Sequence, residues 1–208
     1  MKKLFTLTIP AISLISSSAY AEDGDFRPYV SAKLGYGGIS ISDTDLGGDG
    51  PSANVAVGVQ MKTSAIVNVR GEIEVGYSRY TDKWDQNEGS SRYKGTDTFT
   101  TVPVLFNAYL DLLTNQVVQP YVGFGLGRGT LWFERDEKVY DSGGEFRTTN
   151  INSANHSGFM YGVHAGLAFR IVGDLLGDVG FRYFVLDGGD GDGDGAKIDG
   201  MVGIRYVF

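Results

Sequence analysis

The chain has 208 residues, 42% of them apolar, with 31 glycines, no cysteine and a formal charge of −7. That length bounds it to one domain or two small ones, and the acidic balance argues against nucleic acid, whose phosphates need a clustered positive field. Beyond the N-terminal segment no apolar run is long enough to cross a bilayer as a helix, and without cysteine no disulfide staples the fold.

Lys2 and Lys3 precede an apolar stretch from Leu4 to Ile15, and Ala19-Tyr20-Ala21 forms a small-residue cleavage pattern. Residues 1–21 therefore read as a cleaved secretory signal peptide and 22–208 as the exported domain. Pro10 and the shortness of the stretch argue against an anchor or a buried strand. Cleavage removes two lysines and no acid, which takes the formal charge from −7 to −9.

Eight segments then alternate with period 2, the mark of strands with unlike faces. The first, 28–41, sets Val30, Ala32, Leu34 and Tyr36 against Ser31, Lys33, Gly35 and Gly37. The second, 54–61, sets Val55, Val57, Val59 and Met61 against Asn54, Ala56, Gly58 and Gln60. In the third, 65–80, Val67, Val69, Ile73, Val75 and Tyr77 oppose Asn68, Arg70, Glu72 and Glu74. The fourth, 98–111, carries Val102, Val104, Phe106 and Leu110 opposite Thr101, Asn107, Tyr109 and Asp111. The fifth, 117–133, alternates Val122, Phe124 and Leu126 with a glycine row that leaves room for large neighbours. The sixth, 158–171, and the seventh, 175–186, place Gly162, His164 and Arg170, then Asp178 and Arg182, on their polar faces. The eighth, 198–208, opposes Ile198, Val202, Ile204, Tyr206 and Phe208 to Asp199, Gly203 and Arg205.

The connections alternate in length. Short ones at 62–64, 112–116 and 172–174 intervene between long polar ones at about 42–53, 81–97, 134–157 and 187–197. Short periplasmic turns and long extracellular loops are the habit of outer-membrane barrels. A soluble sandwich shares the period but buries its apolar face; the export signal, the loop alternation and the glycines on the polar face favour the barrel. Backbone amides in lipid must all be paired, which a closed sheet achieves without an edge. The expected fold is all-β, an eight-stranded antiparallel up-and-down transmembrane β-barrel in the cell outer membrane.

The ending Gly203-Ile204-Arg205-Tyr206-Val207-Phe208 resembles the terminal strand of outer-membrane barrels, closed by an aromatic residue. The run Pro120-Tyr121-Val122-Gly123-Phe124-Gly125-Leu126-Gly127 is similar to the Pro-Tyr-Val-Gly-x-Gly strand of opacity-protein-like surface antigens, a group of small porin-like and adhesin barrels. The resemblance implies that Tyr206 and Phe208 form the signal read by the barrel-assembly machinery. It implies architecture rather than a particular activity, since members differ mainly in their loops, and it stops at the membrane half of the two-domain barrel proteins.

Lys33, Arg70, Glu72, Glu74, Arg170, Asp178, Arg182, Asp199 and Arg205 are expected to face inward as a paired charge network, because an eight-stranded lumen is just wide enough for side chains to fill. Arg128 breaks the scheme: strict alternation turns it toward lipid, so either a bulge intervenes or it sits at the rim, within reach of lipopolysaccharide phosphate. Outward Tyr206 and Phe208 at one end and Tyr77, Trp132, Phe159 and Tyr183 toward the other fit interfacial girdles.

In the last loop Asp190, Asp192, Asp194 and Gly195 match the start of a calcium loop, but Met201 stands where the bidentate Glu belongs. A solvated acidic hairpin is the plain reading and weak calcium binding its alternative; no other cofactor is expected. No enzyme is expected either: His156 and Ser157 are adjacent and face opposite ways, and His164 lies mid-strand, so no catalytic constellation forms. The function read from the sequence is a structural or adhesin-type surface barrel, a monomer in contact with lipid and lipopolysaccharide, whose loops meet an environmental ligand. Trp84 and Tyr93 in the second loop, and the third loop, are the expected contact surface. The alternative is a narrow porin for small solutes.

Overall fold

The computed structural model describes residues 26–42, 46–88, 91–140, 146–187 and 195–208. They form β1 (Phe26–Ile41), β2 (Gly47–Lys62), β3 (Val67–Glu88), β4 (Ser91–Leu112), β5 (Val118–Tyr140), β6 (Phe146–Val172), β7 (Leu175–Leu186) and β8 (Gly195–Val207). Each strand pairs antiparallel with its chain neighbours, and β8 returns to β1 to close an eight-stranded barrel. The seam is fixed at its lower end: the Phe208 amide donates to the Pro28 carbonyl, and the Arg27 guanidinium bonds the Phe208 carbonyl and the Asp174 carboxylate.

The period of the sequence becomes two surfaces of opposite polarity. Leu34, Val55, Ile73, Phe106, Phe124, Val163, Phe181 and Val202, one from each strand, stand exposed on the outside. Arg70, Glu72, Glu74, Arg182, Asp199 and Arg205 are buried inside. Water would penalise that inversion, whereas lipid rewards it. The glycine row of β5 does what its spacing suggests: a Cβ at Gly123 would overlap the Tyr109 ring, and one at Gly125 would overlap Asn107. Gly173, at φ 55°, turns the β6–β7 hairpin in the left-handed region.

The long connections expected from the sequence are mostly strand. β3 and β4 stay paired up to Glu88↔Ser91, β5 and β6 up to Tyr140↔Phe146, and β2 already begins at Gly47. Above the membrane both faces of a strand are wet, so the apolar alternation that marks a strand disappears while its hydrogen-bond ladder continues. The upper parts of β3, β4, β5 and β6 thus form a four-stranded sheet standing out of the barrel. Among the described residues β7 pairs with β6 only from Met160 downward, and β2 with β3 only to Thr81, so no described strand flanks the projecting sheet on either side.

Candidate functional site

The lumen is filled by a connected set of charges contributed by five strands. Five cations, Lys33, Arg70, Arg182, Lys197 and Arg205, meet five carboxylates, Glu72, Glu74, Asp111, Asp178 and Asp199. Pairing is what makes such burial tolerable, since a lone charge in a narrow low-dielectric interior costs several kcal/mol.

Three tiers are visible. Toward the periplasmic end Arg70 Nε donates to both oxygens of Asp111 at 2.9 and 2.7 Å, with its guanidinium 4.2 Å from the Tyr109 ring centre. Arg205 reaches Asp111 at 3.4 Å and Asp178 at 3.8 Å. In the middle, Lys33 Nζ donates to Glu72 at 3.0 Å and Glu74 at 3.3 Å, while the Tyr29 and Tyr109 hydroxyls each donate to Glu72 at 2.8 Å. Above, Arg182 spends its three nitrogens on Glu74 (2.7 Å), Asp199 (3.0 Å) and Asn54 (3.0 Å). Lys197 binds Asp199 and the Ser78 hydroxyl, and the Tyr80 hydroxyl completes Asp199.

Apolar side chains close both ends. Ile39, Phe99, Leu105, Leu131, Met160 and Phe184 form the main part of an upper cluster, and Tyr29, Ala168, Leu176 and Val207 a lower one. His164 is buried between the Tyr109 and Phe184 rings, at 5.2 and 5.1 Å, and Ser157 faces out where His156 faces in, so no nucleophile and base converge there.

Eight of the nine residues expected in the lumen meet there, and Arg170 does not. Its parity is inward, but it lies below the lower apolar cluster, next to a register shift between Arg170 and Val172, and is exposed at a periplasmic mouth of about 280 Å³ shared with Arg27, Gln60 and Lys62. Lys197 and Asp111 were absent from the expected network. Lys197 fell in a stretch read as loop, although its position two residues from Asp199 on one face was the available signal. Asp190, Asp192 and Asp194 lie outside the described residues. Tyr206, Phe208, Tyr77, Trp132, Phe159 and Tyr183 are all exposed on the outer face.

On the projecting sheet, Trp84 and Tyr93 do not form a loop tip. Both are half-buried on the side that overhangs the barrel mouth, with Trp84 packed over Gly95 and 5.5 Å from the Arg135 guanidinium, which forks onto Asp97. On the opposite side Lys83, Asp85, Lys94, Asp136, Lys138 and Tyr140 line a cavity of about 450 Å³. At its tip Arg92 binds both oxygens of Asp85, at 2.9 and 2.6 Å, and holds that carboxyl down at about 2.

A closed, apolar-coated antiparallel barrel with a paired ionic interior is the architecture of an outer-membrane protein. The chain matches the outer membrane protein beta-barrel domain family over residues 7–206 and belongs to it. No curated protein matches it. Among solved structures, Neisserial surface protein A is 19% identical and aligns over 87% of this chain and 97% of its own at a TM-score of 0.49. Ail, the attachment invasion locus protein of Yersinia pestis, is 17% identical over 88% and 99%, with a TM-score of 0.46. The N-terminal barrel domain of Pseudomonas aeruginosa OprF is 13% identical over 86% and 97%, with a TM-score of 0.40. The protein is thus an outer-membrane β-barrel.

Proposed function

We propose that the protein is an adhesin-type surface barrel whose contact surface is the projecting sheet of β3 to β6. The observation that carries this reading is the division of labour between the two halves. Side chains paired across the interior occupy the lumen, and the polar, aromatic and charged groups free to meet a ligand stand above the membrane on a hydrogen-bonded platform. Binding residues tend to sit on exposed segments held by a rigid scaffold, and paired strands are stiffer than open loops. The mixed charges around the 450 Å³ cavity, with Tyr140 beside them, suit a polar surface ligand rather than an apolar one.

The test displays the protein on a non-adherent bacterium and measures retention on surfaces coated in turn with matrix protein, sulfated glycan and neutral glycan. A variant with residues 83–94 replaced by a short Gly-Ser turn should keep the barrel, read from its heat-dependent gel mobility, and lose retention. Unchanged retention after that deletion overturns the proposal.

A further inference from the structure

The apolar belt hands over to the projecting sheet differently on β5 than on its neighbours. Going outward, the lipid-facing residues of β3 run Ile73, Val75, Tyr77, Arg79, and those of β4 run Phe106, Val104, Val102, Thr100. On β5 they run Phe124, Leu126, Arg128, Thr130, Trp132. The only register shift between β5 and β6 lies at Val139/Tyr140, so no bulge turns Arg128 away: it is exposed on the outer face, paired in register with Val104 and Phe159. Among the described residues its guanidinium has no hydrogen-bond or ion-pair partner.

An arginine on the lipid face costs about 2–4 kcal/mol at mid-membrane and little near the interface. Its place at the upper edge of the belt, next to apolar partners, is that of a group meeting an anion from the lipid. One alternation step outward, the Thr130 and Ser157 hydroxyls lie 2.9 Å apart on the same face, adding two hydrogen-bonding groups. Across β4, exposed Arg79 stands in register with Thr100, which in turn faces Trp132. The nearest carboxylate on this face of β5, Glu134, lies beyond Trp132 and three alternation steps from Arg128.

We infer that Arg128, Thr130 and Ser157, with Arg79 across β4, bind the phosphorylated sugar headgroup of lipopolysaccharide in the outer leaflet. The forked guanidinium donors match phosphate oxygens, and two separated cations suit a headgroup carrying two phosphates better than one carrying a single phosphate. Leu126, one alternation step below, and Val104 and Phe159, on either side, offer an apolar surface for the acyl chains. The inference rests on the membrane assignment and is independent of any ligand at the projecting sheet.

The refolded protein is placed in phosphatidylcholine bilayers alone, and with bisphosphorylated lipid A, dephosphorylated lipid A or phosphatidylglycerol at matched charge. The thermal midpoint is followed by gel mobility. It should rise most with bisphosphorylated lipid A; Arg128→Gln should lose most of that rise, with apparent affinity weakened about tenfold. Arg79→Gln should lose part of it, and Lys62→Gln, at the periplasmic end, should keep it. Arg128→Lys should fall between the wild type and Arg128→Gln. An undiminished rise in Arg128→Gln, or an equal rise with phosphatidylglycerol or the dephosphorylated glycolipid, overturns the inference. So does a lower midpoint of Arg128→Gln in phosphatidylcholine alone, which would mark Arg128 as a structural residue.

Discussion

Arg182 holds three strands together with one side chain, because its nitrogens reach Asn54 on β2, Glu74 on β3 and Asp199 on β8. Replacing it with Met keeps the volume but leaves four buried cations against five carboxylates, with Glu74 held by Lys33 and Asp199 by Lys197 and Tyr80. The variant should lose about 3–5 kcal/mol of folding stability, the usual result of removing one partner of a buried pair. Urea unfolding in lipid vesicles measures it, and a loss below about 1 kcal/mol would mean that water already reaches those carboxylates. The polar parity of Arg182, Glu74 and Asp199 was plain in the sequence; which cation meets which carboxylate was not. Partners such as Glu74 and Arg182 are 108 positions apart, and only barrel closure brings them within 2.7 Å. Arg170 shows the opposite failure, since parity assigns a face but not a depth.

At the scale of elements, the β3–β4 hairpin is the informative case. Its membrane part was legible from apolar alternation, whereas its tip, with Lys83, Asp85, Arg92 and Lys94, carries charge on a wet face and reads as loop. The tip still has a device of its own in the Asp85–Arg92 fork. The Asp85 carboxyl, bonded by Arg92, titrates at about 2 in the folded protein against an ordinary value of 3.8. A depressed carboxylate stabilises above its unfolded value and ceases to as pH falls through the folded one. Amide exchange protection at residues 85–92 should therefore hold from neutral pH to about 4 and decline between about 4 and 2. Asp85→Asn should show the loosened tip already at neutral pH. Because the pair is exposed, the rest of the barrel should be indifferent to both changes. Full tip protection at pH 2, or in Asp85→Asn, would show that the ladder alone holds the hairpin.

For the whole molecule, the ionic interior between two apolar closures leads to a functional expectation: the refolded barrel in a planar bilayer should carry no steady single-channel current. Reproducible openings would make the lumen a water path and favour the narrow-porin reading over the surface-barrel one. The sequence by itself determined the inverted polarity, the number of crossing strands and the inward position of most of the charge network. All of these follow from a side-chain period of 2, which is local and survives in one dimension. Tertiary structure alone decided the ion pairs across the lumen, the exposure of Arg170, the inclusion of Lys197 and the extent of the projecting sheet. Those depend on closure, depth and hydrogen-bond pairing between segments distant in the chain, which no periodicity along a single strand encodes.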